Sequence, residues 1–235
     1  GKDSDPYRVR VLGLPPLQET QQFISIELFE TALHKKVDSL WHEPRILWCD
    51  PARFGDDTTA IGERKGRNAK LLKRIHGQDT MQSVGQIIQY INDAKRIEPY
   101  DYVVIDEIGI GAGIVDRLRE QEYDVIGVNV GEKSRREDCK NLRAELWYLM
   151  KEWLKEGHVT EEFRDDLIGP QYSYDSSGRL VIERKEDMKK RGLKSPDIGD
   201  GLSISFFPLN PIKKTQRIKS NVKKSVASHY NSLAK

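Results

Sequence analysis

Ile46-Leu47-Trp48-Cys49-Asp50 is a run of four apolar residues closed by a carboxylate, and Tyr102-Val103-Val104-Ile105-Asp106 repeats the pattern further along the chain. Each run is short, continuous and rich in β-branched or aromatic residues, which reads as a strand covered on both faces. Between them Met81, Val84, Ile87, Ile88 and Ile91 recur at helical spacing, so residues 80–96 form an amphipathic helix. A helical crossover between two buried strands makes them adjacent and parallel. Asp50 and Asp106 then leave the sheet at the same edge, where open α/β sheets build their sites. A lone aspartate after a strand is often only a turn cap. Two at one edge, beside apolar strands that solvate a carboxylate poorly, point to a metal site.

The remaining elements extend outward from these strands. Thr58-Thr59-Ala60-Ile61 starts a second strand and residues 70–76 form a third, with Gly66-Arg67-Asn68 turning between them. Residues 114–120 are a helix, 125–130 a fifth strand, and 142–154 a helix through Leu146, Trp147 and Met150. A hairpin of 172–174 with 179–182 turns at Asp175-Ser176-Ser177-Gly178, and 198–207 close the domain as a helix. The fold class is α/β, with a mixed central sheet flanked by helices in the RNase H-like order. A doubly wound α/β fold shares much of that order.

A third acid comes from Lys194-Ser195-Pro196-Asp197-Ile198-Gly199-Asp200-Gly201-Leu202. Ser195 and Pro196 suit an N-cap and a first helical position, and Asp197 and Asp200, three apart, share a helix face. Asp57 is a further outer candidate. Three or four carboxylates without histidine or cysteine suit a hard cation, Mg²⁺ or Mn²⁺. Two such ions roughly 3.5–4 Å apart suit phosphodiester hydrolysis.

Composition sets the surroundings. In 235 residues, 37% hydrophobic content supplies a core and 32% charged content a solvated surface, while a net charge of +2 announces no partner. The distribution says more. From Asn210 onward there is no acid but seven lysines and arginines, a basic tail suited to phosphates or to solvent. Arg184, Lys185, Lys189, Lys190, Arg191 and Lys194 follow the hairpin as a ridge that can track a DNA backbone without reading bases. Cys49 and Cys139 suggest no disulfide scaffold, and the five histidines have no zinc spacing. No apolar run approaches the roughly 20 residues needed to span a bilayer. Gly109-Ile110-Gly111-Ala112-Gly113 misses the third glycine of a dinucleotide fingerprint, leaving a tight strand-to-helix turn. Residues 1–44 read as the end of a preceding domain and a linker, 45–208 as the nuclease-like domain, and 209–235 as the tail.

Three ordered motifs add a resemblance. Cys49-Asp50-Pro51-Ala52-Arg53-Phe54-Gly55-Asp56-Asp57-Thr58, Val103-Val104-Ile105-Asp106-Glu107 and the 191–202 segment resemble the three motifs of the nuclease domain in the large terminase subunit of tailed bacteriophages. Asp5 to Gly13 is similar to the segment closing that subunit's ATPase domain. The resemblance implies an RNase H-like, Mg²⁺- or Mn²⁺-dependent endonuclease that cuts concatemeric double-stranded DNA during packaging. It implies Asp50 and Asp106 as the first two metal-binding acids and Asp200, ranked just above Asp197, as the third. Its implied partners are DNA, the procapsid portal and the small terminase subunit, in the host cytoplasm. No G-x-x-x-x-G-K-[ST] occurs, so this stretch carries no nucleotide site. An RNase H-like resolvase or recombinase, or a non-catalytic DNA- or portal-binding module of the same fold, would share the acids.

Overall fold

A strand that is apolar on both faces has to be covered on both, and β1 (Arg45–Asp50) is buried from Ile46 through Asp50. The structure, a computed structural model, describes residues 22–40, 42–52, 58–77 and 79–207. The segment from Asp5 to Gly13, Asp57 and the tail at 209–235 lie outside the described residues.

β1 is the middle of a five-stranded sheet. It pairs antiparallel with β2 (Thr58–Lys65), which pairs antiparallel with β3 (Asn68–His76) at one edge. On its other side it pairs parallel with β4 (Tyr102–Asp106), in the register Ile46↔Tyr102 to Cys49↔Ile105. β5 (Ile126–Val128) lies parallel to β4 at the far edge. The crossover is α2 (Thr80–Ala94), which opens on a capping box in which Asp79 and Gln82 satisfy each other's backbone N–H groups.

Side-chain alternation divides the core. Leu47, Cys49, Ile61, Val103 and Ile105 meet α2 and α3 (Ile110–Glu120) on one face. Ile46, Trp48, Ala60 and Val104 meet α4 (Leu142–Leu154) and α7 (Asp197–Ile204) on the other. Asp50 and Asp106 continue the parity of Trp48 and Val104, so both point to the α7 side. A short helix α5 (Arg164–Ile168), a separate hairpin of β6 (Tyr172–Tyr174) and β7 (Leu180–Ile182), and α6 (Lys185–Lys190) complete that side.

Several boundaries differ from the sequence reading. The helix after β4 starts at Ile110, not 114, and so absorbs the glycine run. A Cβ on Gly111 would lie 1.7 Å from the Asp106 carbonyl oxygen, so only glycine lets this helix start against the strand end. α5 and α6 are too short for periodicity to reveal; α6 buries only Met188.

The boundary expected at residue 44 does not mark an edge of the packing. α1 (Ile26–His34), capped by Ser25, places Phe29 and Ala32 in the same core as Trp147 and Phe163. Phe23 and Ile24 are buried with them, and Phe23 N–H donates to the Pro170 carbonyl at 3.0 Å. Residues 22–34 are therefore part of this domain's core rather than a linker. Phe29→Ala is expected to cost about 3–5 kcal/mol, and a fragment beginning at residue 42 to lose its cooperative thermal transition. Circular dichroism melts of both against a fragment beginning at residue 22 check this; matching melts would return α1 to the linker.

Candidate metal centre

Parallel pairing brings the ends of β1 and β4 level, and with them Asp50 and Asp106. Asp50 is 6% exposed. Beyond it the chain is fixed by Thr59, whose hydroxyl accepts from Ala52 N–H and donates to the Ala52 carbonyl, both at 3.0 Å. Asp106 Oδ1 accepts the Ile108 N–H at 2.9 Å, an aspartate turn.

α7 brings the other two acids, and its approach is governed by size. A Cβ on Gly201 would lie 2.5 Å from Trp48 Cζ3, and one on Gly62 of β2 2.1 Å from Trp48 Cζ2. The indole thus fills the side-chain space of two glycines and sets how closely α7 lies on the sheet. Pro196, not Ser195, occupies the cap position, and no side chain there caps the helix. The cap comes from α5: Asp166 accepts the Ile198 N–H at 2.6 Å and the Gly199 N–H at 3.4 Å.

Asp197 and Asp200 are both buried; Asp197 is held through one oxygen and Asp200 through both, its Oδ2 accepting from Arg143 Nη2 at 3.4 Å. Asp197 Oδ2 accepts from Thr58 N–H at 2.8 Å and the Thr58 hydroxyl at 3.0 Å. Asp200 Oδ1 accepts from Arg143 Nε at 2.9 Å and Trp147 Nε1 at 2.8 Å. Their other oxygens face Lys185, whose Nζ lies 3.3 Å from Asp50, 3.3 Å from Asp197 and 3.5 Å from Asp200. Arg143 also donates to the Glu183 carbonyl at 2.7 Å, tying α4 to the segment after β7.

The charges explain the protonation behaviour. Burial pushes Asp50 well above the ordinary carboxylate range; Lys185 opposes this, and Asp106, Asp200 and Asp197 add to it. Burial, with Asp200 nearby, raises Asp106 to about 6. Burial would raise Asp200 too, but Arg143 and Lys185 outweigh it and hold this carboxyl low. Burial disfavours the Lys185 ammonium, yet Asp50, Asp200 and Asp197 keep it charged far above the usual lysine range.

Among the described residues, no group of three or more histidine, cysteine, aspartate and glutamate side chains is arranged to hold a metal ion in this geometry. The Lys185 ammonium lies between Asp50, Asp197 and Asp200. Ammonium contacts of 3.3–3.5 Å space the carboxylates wider than Mg²⁺, which needs oxygens at about 2.0–2.1 Å. The donor set itself, all carboxylate, is that of a hard cation.

The structure therefore gathers Asp50, Asp106, Asp197 and Asp200, while Asp57 lies outside the described residues. The basic ridge divides. Lys185 turns into the acids. Arg191 pairs with Glu183 at 2.6 Å and donates to the Gly169 carbonyl, and Lys190 pairs with Asp187 at 2.7 Å. Arg184 precedes α6 as its cap residue, and Lys189 and Lys194 are exposed. The sequence reading missed Arg143, Thr58 and Asp166, and gave Trp147 only as a residue of the 142–154 helix. No local signal marks them, since Arg143 and Thr58 each act on an acid from a different element and Asp166 caps the helix that carries two of them. Tyr172 packs edge-on against Phe23 and Tyr174.

No family model and no curated protein matches this sequence. Solved structures do. A lysine-to-alanine mutant nuclease domain of the large terminase subunit of bacterial virus Sf6, with manganese and beta-thujaplicinol, superposes with a TM-score of 0.65. Identity is 17%, over 80% of this chain and 99% of that one. The unmutated Sf6 domain gives a TM-score of 0.61 at 16% identity, over 80% and 99%. The large terminase nuclease of thermophilic phage G20c, with bound magnesium, gives 0.55 at 16% identity, over 80% and 97%. The chain thus has the RNase H-like fold of these domains.

Because the folded value of Asp106 lies above its unfolded one, its stabilising contribution exists at low pH and is lost as pH rises through about 6. Asp106→Asn should therefore stabilise the metal-free protein by about 1–3 kcal/mol at pH 7.5, and by almost nothing near pH 4. Urea unfolding at both pH values measures this. A destabilised variant at pH 7.5 would mean that the charge is not under strain.

Proposed function

We propose that this chain is a divalent-cation-dependent DNA endonuclease of the terminase type, cutting concatemeric double-stranded DNA during genome packaging. The observation that carries this reading is the convergence of four aspartates on one sheet edge, in a fold shared with nuclease domains solved with manganese and magnesium.

Asp50, Asp106, Asp197 and Asp200 are the residues that would hold Mg²⁺ or Mn²⁺, as one ion or two. Such ions, when bound, lower the pKa of water and neutralise charge on the leaving oxygen of a phosphodiester. The protein's own groups prepare that chemistry. Asp50 and Asp106 stand on rigid strand ends, so their spacing does not depend on loop motion. Thr58 fixes Asp197 through Oδ2 and Arg143 fixes Asp200 through both oxygens, while Asp197 Oδ1 and Asp200 Oδ2 face Lys185. Arg143 also keeps Asp200 ionised at acidic pH, when Asp106 has begun to take up a proton. Lys185 holds the carboxylates together when no metal is bound, and its ammonium can turn to a DNA phosphate as it yields its place. Exposed Lys189 and Lys194 extend a positive flank along the same side. The procapsid portal and the small terminase subunit are the proposed protein partners. Among the described residues, no helix is long and apolar enough to cross a membrane.

Incubation with supercoiled plasmid and Mg²⁺ or Mn²⁺ should give nicked and linear DNA, abolished by a chelator. Asp50→Ala and Asp106→Ala should each lower cleavage at least a thousandfold while retaining the fold. Intact plasmid with the wild-type protein, or full cleavage by Asp106→Ala, would refute the assignment. Lys185→Ala should tighten Mn²⁺ binding at least tenfold by calorimetry, since a unit charge removed at about 4 Å is worth up to ~4 kcal/mol before screening. Unchanged affinity would place the ion elsewhere.

A further inference from the structure

The row of site residues runs on across the sheet. Asp50 pairs with Ala60, and Ala60 pairs with Arg74 of β3, the outer strand. Residues level with one another across strands point to the same face, so Arg74 lies on the α7 side with Asp50. Lys185 and Arg143 approach the acids from the hairpin side, and Arg74 approaches from the opposite one.

Its contacts are specific. Arg74 Nε donates to the Thr58 hydroxyl at 2.9 Å, and that hydroxyl donates to Asp197 Oδ2 at 3.0 Å. The Thr58 hydroxyl oxygen therefore accepts one bond and donates the other, and the arginine side chain is oriented through the same atom that fixes Asp197. Its charge also reaches Asp166, which caps the helix bearing Asp197. Arg74 is nonetheless exposed, and among the described residues its terminal nitrogens have no hydrogen-bond acceptor. A guanidinium anchored by Nε and open at its fork has the geometry for an incoming oxyanion.

We propose that Arg74 is a backbone-phosphate contact for DNA on the β3 side of the acids, and that through Thr58 it positions Asp197. This rests on the nuclease reading and extends it: the substrate is gripped on both flanks of the acidic cluster, not only along the basic ridge.

The test uses the full chain and a fluorescently labelled DNA duplex, with anisotropy read in chelator at 50 and 200 mM salt and cleavage read separately in Mn²⁺. Arg74→Ala should weaken binding about five- to tenfold at 50 mM salt. Its loss of affinity between the two salts should shrink by roughly 3.5-fold, since one phosphate contact contributes a slope of about 0.9. Arg74→Lys keeps the charge but not the oriented Nε bond. It should bind with near-normal salt dependence and cleave about tenfold more slowly, as should Thr58→Val. Thermal melts confirm the fold of each variant. An Arg74→Ala protein with wild-type salt dependence overturns the phosphate contact, and an Arg74→Lys protein that cleaves at the wild-type rate overturns the link to Asp197. Failure of the wild-type protein to cleave at all would instead strike the nuclease reading, and this proposal would fall with it.

Discussion

Four carboxylates share one buried corner of this protein, and much of the surrounding structure serves to make that tolerable. An ionised carboxylate removed from water without partners costs several kcal/mol even after relaxation. Here the partners come from separate parts of the chain: Lys185 from α6, Arg143 and Trp147 from α4, Thr58 from β2. With every carboxylate ionised, the cluster still holds two more negative charges than positive ones. Burial first, and this excess of negative charge after it, raises the carboxyls of Asp50 and Asp106 above the ordinary range. The proposed cation would supply the positive charge that the protein's own groups leave short.

The backbone of this arrangement was legible from residue pattern. An apolar run ending in an acid, a helix at regular spacing and a second such run suffice to make two parallel strands with level ends. The five-stranded sheet agrees with that reading. The two acids on α7 were legible as a pair because a spacing of three places side chains on one helix face. The partners of those acids were not. Lys185 sits in a segment crowded with lysine and arginine, and only the six-residue helix it begins turns it inward while its neighbours face water. Arg143 and Asp166 lie 57 and 33 residues from the aspartate and the glycine they hold, by bonds no local pattern encodes.

Residues 22–34 teach the same lesson about domain limits. Their composition resembles a connector, since it offers one short amphipathic helix and few other apolar residues. Packing decides otherwise, because Phe23, Ile24 and Phe29 fill space beneath α4 and α5 that nothing else among the described residues occupies. Composition reports where a chain is polar; it does not report which apolar side chains complete a distant core.

Trp48 carries a consequence beyond packing. Its indole occupies the volume that a methyl group at Gly62 or Gly201 would need. No single substitution at either glycine is then neutral while the tryptophan stays, and shrinking the tryptophan alone leaves a void under Asp50. The three positions form an evolutionary lock: a lineage can leave this arrangement only by changing partners together or by passing through a damaged intermediate. That lock lies against Asp50, so a change that loosens the core there also shifts the footing of the acids.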